Sequence, residues 1–534
     1  VVRREPHAGP FDLEAGGRRL EDHFVLLVTP PPRPWAAPVA TLAATHDLDP
    51  AFPPDVDAEA RAWVQHPGLD DPALEDLTHL PFATIDEPTS RDLDQALAIE
   101  ADGDGHVVWY AIADASFYVR PRMPLFEEAL RRGASTYLPG LVVPMLPTSL
   151  SEGLVSLNPD VDRRAVVFRM ALDGAGRVTS TTMRRARVHS RCKTSYDAVQ
   201  GWFDGGPAPS VDPTVVASLR ALEVVGQRRI ARADPTSLVS LRRREVAVRL
   251  ADADAGRFVA FADLRNDVER YNEQVSVLAN TEGARLLRDA HGPDVHPIYR
   301  VHEPPAPDAL AALARASSAL AALHGLSDPS FTWDPVSTPI GGWLASLPSA
   351  GRAGRVARAV HRQAMLASRR SVFQAAPGGH AGVGVPVYGR FTAPMREIVG
   401  VFLHKELCEQ QGWTAPWPRA LDEALRDRVI EASHRARERQ AAVDRDANRL
   451  VLDALFAEDH AKGVARGGVV MGLGRDRVHV ELDDPPIDVK AYLAHLDDAD
   501  HADVPAVIDP DGWAVRRGDR VVLRVGDAVR VRVR

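Results

Sequence analysis

The stretch FATIDEPTSRDLDQALAIE (residues 82–100) sets Asp86, Asp92 and Asp94 within nine positions, between mostly apolar flanks. Carboxylates repel one another, and taking them out of water costs several kcal/mol apiece. Such a group is either a wet loop or the seat of a multivalent cation. A fully extended chain advances about 3.3 Å per residue, which would hold Asp86 and Asp92 about 20 Å apart. Pro88, Thr89 and Ser90 supply turn chemistry between them, so the chain can fold back. Asp92 and Asp94, two apart, project to one side of any extended segment. Oxygen-only ligands suit Mg²⁺, with Mn²⁺ as a substitute, and not zinc. A pair of such ions activates water and stabilises the leaving oxygen of a phosphodiester. Two other readings of the Asp-x-Asp in DLD stay open on spacing alone. A phosphatase with an aspartyl nucleophile would place a buried strand directly before it, where this chain has PTSR. A sugar-nucleotide transferase has no other support.

A second grouping is basic. GRAGRVARAVHRQAMLASRR (351–370) carries Arg352, Arg355, Arg358 and Arg362 at steps of three and four, and contains no acid. That spacing lines them along one helical face. The face is either plain solvated surface or part of a track for a polyanion. Net charge is −9, so a nucleic-acid footprint must come from distribution rather than total.

The elements that must position these groups belong to a soluble-type globular chain of 534 residues, 45% hydrophobic and 26% charged. Two cysteines, Cys192 and Cys408, exclude a disulfide framework and a four-thiolate zinc site, as a reducing cytoplasm requires. No signal-peptide core opens the sequence and no apolar run reaches membrane-spanning length, so a cytoplasmic protein without membrane contact is expected. Residues 1–50 read as a separate short module, with the rigid linker VTPPPRPW and one helix ended by prolines. Residues 51–457 are mixed. Strand-like runs at 106–119 and 165–172 precede long helical stretches, among them 307–325, closing on Gly325. Strands first and helices later predict an α+β fold rather than a doubly wound sheet. Residues 458–534 alternate in strand fashion and end in basic strands, which predicts a small OB-fold-like, RNA-binding barrel, with a plain solvated sheet edge as the alternative.

The acidic stretch, read as TIDEPTSRDLDQAL, resembles the signature of the ribonuclease II and ribonuclease R family of exoribonucleases. Further segments match in order: YAIADASFYV (110–119), RRGASTYLPGLVVPMLPTSLSEGLVSLNP (131–159), ADLRNDVERYNEQVSVLANTEGA (262–284), PIYRVHEPP (297–305) and GGHAGVGVPVYGRFTAPMREIVGVFLHKEL (378–407). The resemblance implies an RNB-type catalytic domain around an RNA channel. It implies a monomer that removes nucleotides from the 3′ end of single-stranded RNA, releasing nucleoside 5′-monophosphates with Mg²⁺. Asp86, Asp92 and Asp94 match the metal-binding acids, with Asp92 and Asp94 also central to catalysis. Arg396 matches an arginine that clamps the scissile phosphate, work suited to a planar, always-charged donor fork. Tyr137 and Tyr196 match aromatics that contact RNA, and Arg352 to Arg362 are assigned to the basic track. His302 and His380 lie in matched segments and receive no chemistry.

The chain also departs from the family pattern. The usual fourth aspartate is Gln95, expected to remain a metal ligand through its carbonyl at the loss of one negative charge; the alternatives are a water in its place, or an amide that points away and hydrogen-bonds the loop. Glu397, Ile398 and Gly400 replace a basic residue, a tyrosine and an aspartate. Asp444 stands where a glutamate supports the site from behind. Residues 1–50 are too few for the two cold-shock barrels that usually precede the catalytic domain. The rival expectation is a catalytically silent RNA-binding protein that keeps the channel, and a weaker one is a phosphohydrolase of small substrates.

Overall fold

A computed structural model describes residues 36–232, 245–252, 257–263, 265–290, 295–496 and 504–532. The linker expected around 28–35 lies outside these residues. The acid stretch is built into a mixed sheet of six strands. Phe82–Ile85 pairs in parallel with the end of the long strand Val178–Thr194, and antiparallel with Gln95–Asp102. Gln95–Asp102 continues through Gly105–Ala113 to Asp162–Leu172, which pairs with the first part of Val178–Thr194. The pairing therefore closes on itself, and both apolar flanks of the acid loop are buried in it: Phe82, Ala83 and Ala98 are inaccessible. The expected α+β class is what forms.

The predicted strand 106–119 stops at Ala113. Asp114 turns inward, where its buried carboxylate accepts from Arg185 Nε at 2.7 Å and lies 3.5 Å from Arg164 Nε. That buried charge group outweighs the β-propensity of SFYV, and Ala115–Tyr118 forms a helical turn instead.

Helices cover the sheet. Asp267–Arg288 opens with a capping box of Asn266 and Glu269, which satisfies two otherwise orphaned backbone donors. Arg419–Lys462 runs 44 residues, about 66 Å at 1.5 Å per residue, and is closed by Gly463 at φ +64°. The expected helix after the linker is Ala36–Thr45. Its Val39 and Ala43 pack on Leu138, Val143 and Val443, pinning the Thr136–Leu138 and Leu141–Val143 hairpin against the long helix.

The C-terminal strands form a four-stranded and a three-stranded sheet. They do not stand apart. Val470, Val480, Val515 and Val525 share one apolar core with Leu320, Trp343, Val356 and Val360 from the helices between 307 and 367. This is where the arginine face of Gly351–Ala367 goes. Arg358 Nη1 meets Glu481 at 2.6 Å, and Arg362 Nη1 meets Asp488 at 2.6 Å, both acids lying on the C-terminal strands. The expectation of an open basic track at these two positions is corrected: their charge is spent on docking the sheet. Arg352 stays exposed, and Arg355 is half-buried.

Among the described residues, the one trio of carboxylates tight enough for a single ion is Glu406, Glu409 and Asp422, and these lie apart from the acid loop in sequence. The Lys405 ammonium already occupies it, 2.9 Å from Glu406, 2.9 Å from Glu409 and 2.7 Å from Asp422. Burial, only partly opposed by Lys405, pushes the Glu406 carboxyl up to about 7. Removing one partner of a buried charge group strands the others, at a cost of about 3–5 kcal/mol. Lys405→Met should therefore destabilise the protein by about that much in neutral denaturant unfolding. The loss should shrink in acid, where the carboxylates take up protons; an unchanged midpoint would contradict a structural role for the lysine.

Candidate functional site

The turn predicted from Pro88, Thr89 and Ser90 forms. Asp86 Oδ1 accepts from the Glu87 N–H at 2.7 Å and from Ser90 Oγ at 2.9 Å, while the Ser90 N–H reaches the Glu87 carbonyl at 3.0 Å. Lys193, on the neighbouring long strand, donates to the carbonyls of Pro88 and Ser90. The chain thereby folds back until Asp86 influences the protonation of Asp92. The next three residues are fixed by Ser156, which is wholly buried. Its hydroxyl accepts from the Leu93 N–H at 2.9 Å and donates to the Arg91 carbonyl at 2.7 Å. Beyond it, the Leu157 N–H bonds the Leu93 carbonyl at 2.9 Å and the Ala113 N–H bonds the Asp94 carbonyl at 2.8 Å.

Opposite the acids stands the segment 388–396. Buried Asn280 organises it, accepting from the Phe391 N–H at 2.7 Å and donating to Thr392 Oγ1 at 3.0 Å. Gly400 lets the next helix pass close beneath: a Cβ there would lie 2.9 Å from Pro394 Cα and 3.1 Å from Pro394 N. A larger residue at 400 would push against this backbone, which gives the departure at Gly400 a physical reason. The turn delivers two donors to one carboxylate. The Met395 N–H reaches Asp94 Oδ1 at 3.0 Å, and Arg396 Nε reaches Asp94 Oδ2 at 2.7 Å and lies 3.9 Å from Asp92 Oδ2.

The charges do not balance. Asp94 is 2% exposed, and burial pushes its carboxyl up to about 6 despite Arg396. Burial likewise raises Asp92, with Arg396 opposing and Asp86 adding to the rise. Asp92 and Asp94 share one arginine and Asp86 adds negative charge beside Asp92, so a divalent cation fits the charge and the oxygen-only donor set. Their oxygens do not all lie within 4.8 Å of one another, an arrangement more open than the Lys405 trio.

The other sequence-predicted residues are distributed around this centre. Tyr137, on the hairpin, contributes to the charge environment of Arg396 and is held through its backbone. Its N–H donates to Gln440 Oε1 at 2.9 Å, and its carbonyl accepts from Gln440 Nε2 at 2.9 Å. Asp444 acts through the same glutamine, accepting from Gln440 Nε2 at 2.7 Å. Tyr196 opens a helix capped by Ser195, and its hydroxyl accepts from Asn272 at 3.1 Å. Burial pushes Tyr196 up to about 12, and Asp86 adds to the rise.

Gln95 requires a correction. Its Nε2 donates to the Thr392 carbonyl and its Oε1 accepts from the Tyr110 hydroxyl. Both ends of the amide are occupied, so the side chain ties the acid strand to the arginine turn, and metal ligation is not the role its contacts favour. Ser156, Lys193, Asn280 and Gln440 carry no mark in sequence and were not anticipated.

A loop of oxygen ligands, a charge-paired arginine and adjoining tyrosines define a site suited to divalent cations and a phosphate-bearing substrate. The chain belongs to the RNB domain family, whose model matches residues 74–408. It is 30% identical over 483 residues to ribonuclease R of Escherichia coli, covering 84% of this chain and 55% of that protein. It is 30% identical over 443 residues to exoribonuclease 2 of Cronobacter sakazakii, covering 82% of this chain and 62% of the relative. The chain thus spans little more than half the length of such relatives. Its fold matches Mycoplasma genitalium RNase R in complex with ribose-methylated single-stranded RNA, with TM-score 0.81 at 21% identity, over 93% of this chain and 76% of that one. It also resembles yeast Ssd1, a pseudonuclease, with TM-score 0.59 at 15% identity, over 84% of this chain and 53% of that one.

A cation held by Asp94 would have to compete with the proton that burial favours there. The folded carboxyl titrates near 6 against an ordinary 3.8, so between those values the metal-free fold holds more proton than the unfolded chain. This group's contribution to metal-free stability therefore falls as pH rises through that window. Metal affinity runs the other way. The Mg²⁺ midpoint measured by calorimetry should be about fourfold higher near pH 5.5 than near pH 7.5. A flat midpoint would contradict proton competition at Asp94.

Proposed function

We propose that this chain is a 3′-to-5′ exoribonuclease that shortens single-stranded RNA stepwise to nucleoside 5′-monophosphates with Mg²⁺ as cofactor. The observation that carries the reading is the meeting of Arg396 with Asp94 at 2.7 Å inside the segment that matches the family. Asp86, Asp92 and Asp94 would hold the cations. Bound there, they would supply activation of water and stabilisation of the leaving oxygen. The chain's own part is to orient. Arg396 presents a guanidinium already aligned by Asp94, whose remaining N–H groups can engage a phosphate at little further ordering cost. Ser156 and Asn280 hold the two backbones in register, and Gln440, steadied by Asp444, fixes the hairpin that carries Tyr137. Tyr137 and Tyr196 are proposed RNA contacts, and Arg352 and Arg355 are the members of the arginine face that remain for RNA. Residues 51–457 are proposed as the catalytic unit. Residues 458–534, whose strands begin at Ala465, are proposed as an RNA-binding module docked on it, and a cytoplasmic monomer is the proposed form.

A second reading, RNA binding without turnover, is favoured by one feature: Gln95 is engaged between Tyr110 and Thr392 and adds no charge to the acid loop. A 5′-labelled RNA oligomer with Mg²⁺ separates the two. The first reading predicts a ladder of shortening products, and Asp94→Asn should abolish it while RNA affinity stays within a few-fold. Phosphate contacts along the channel carry that affinity. Retention of full-length RNA by the unmodified protein would establish the second reading.

A further inference from the structure

Arg396 also lines a cavity of about 360 Å³, bounded by the Tyr137 hairpin, the long helix and the arginine turn. Four arginines line it, Arg300, Arg390, Arg396 and Arg437, with Glu397 as the single acid in its lining. Arg300 and Arg437 are steered by one serine. Arg300 Nε donates to Ser371 Oγ at 3.1 Å, and Arg437 Nη1 donates to the Ser371 carbonyl at 2.6 Å. Neither has a carboxylate within ion-pair distance among the described residues. With Arg390 paired to Glu397 and Arg396 to Asp94, the uncompensated charge facing an anion is that of Arg300 and Arg437.

Glu397 is set into this lining by its own geometry. Its Oε1 accepts from Arg390 Nε at 2.8 Å, and its backbone bridges to Ala134 beside the hairpin. Burial works against its charge, but Arg390, Arg300 and Arg396 outweigh it and hold its carboxyl below the usual range. It is a fixed negative charge within an arginine cluster that borders the reacting end.

Repulsion from such a charge scales with the charge of the visitor. An internal phosphodiester of RNA carries one negative charge. A phosphomonoester carries nearly two at neutral pH, since its second proton leaves near pH 6. One carboxylate thus penalises the monoester more than the diester. We propose that Glu397 is a specificity-determining residue that keeps the arginine cavity from retaining a nucleoside 5′-monophosphate while leaving it open to the RNA backbone. The source of the monophosphate rests on the exoribonuclease reading; the charge discrimination does not.

The test compares binding of AMP, of adenosine and of a short RNA without terminal phosphates to the intact protein and to Glu397→Gln, by calorimetry. Glutamine keeps the acceptor for Arg390 and removes only the charge. In EDTA, AMP should bind the variant about fivefold more tightly, adenosine should be unchanged, and RNA should gain no more than about two- to threefold, as its singly charged phosphodiesters require. Arg437→Gln, which removes charge of the opposite sign from the same cavity, should weaken AMP at least fivefold. The proposal is overturned if AMP affinity is unchanged in Glu397→Gln, or if RNA gains as much as AMP. Parallel loss of AMP and adenosine binding in Glu397→Gln, with AMP unmoved in Arg437→Gln, would also overturn it. Because no turnover is involved, the comparison decides the proposal even where the labelled-RNA ladder fails to appear.

Discussion

Asp94 and Arg396 are 302 residues apart in the chain and 2.7 Å apart in space. Asp94 is buried where it leads into a strand of the closed sheet, and a buried carboxylate is tolerated only with partners. Arg396 and the Met395 N–H are those partners, so the arginine turn must arrive at one place and one orientation. Much of the fold serves that requirement. The closed sheet fixes the acid, Asn280 shapes the approach of 388–396, and Gly400 lets the following helix lie close beneath the turn. The pair leaves Asp92 3.9 Å from an arginine already engaged by Asp94, and this is the ground for proposing a cation at the acid loop.

The loop between the strands could have been wet and inconsequential. What makes it a site is the rigidity of its backbone. Ser156 ties two of its groups to the following segment, and Lys193 caps its turn from the neighbouring strand. Two acids whose charge is disfavoured are thereby held near one another, a geometry that costs stability unless something offsets it. The arginine-lined cavity beside it has the opposite imbalance, moderated by Glu397. A phosphate-bearing chain lying across both would meet a region wanting cations next to one wanting anions.

The parts of this arrangement written locally in the sequence were legible there. The three acids and their turn lie within nine positions, and chain geometry alone showed that they can converge. Arg396 could be paired with them only through the ordered family resemblance, since no local pattern links positions 94 and 396. The arginine face of 351–367 was real as a periodicity, but the acids that cover Arg358 and Arg362 lie 123 and 126 residues further on. Periodicity shows that a face exists and not what lies against it. Gln95 stands at the place of the family's usual fourth aspartate, which suggests a ligand, yet the strand begins at that residue and its amide bridges to Thr392 and Tyr110. Ser156, Asn280 and Gln440 are small or neutral polar residues whose importance comes wholly from tertiary contacts.

The central claim is that the acid loop is a cation site completed by Arg396, and thermal unfolding against Mg²⁺ concentration tests it most directly. A ligand that binds only the folded state stabilises it by about 2.7 kcal/mol at a hundredfold excess over Kd. The melting temperature of the protein should climb with Mg²⁺, and Asp92→Asn should lose most of that climb while keeping a cooperative transition in EDTA. Equal climbs in the two proteins would place the cation elsewhere, and no climb in either would contradict the account of the charge shortfall at Asp86, Asp92 and Asp94.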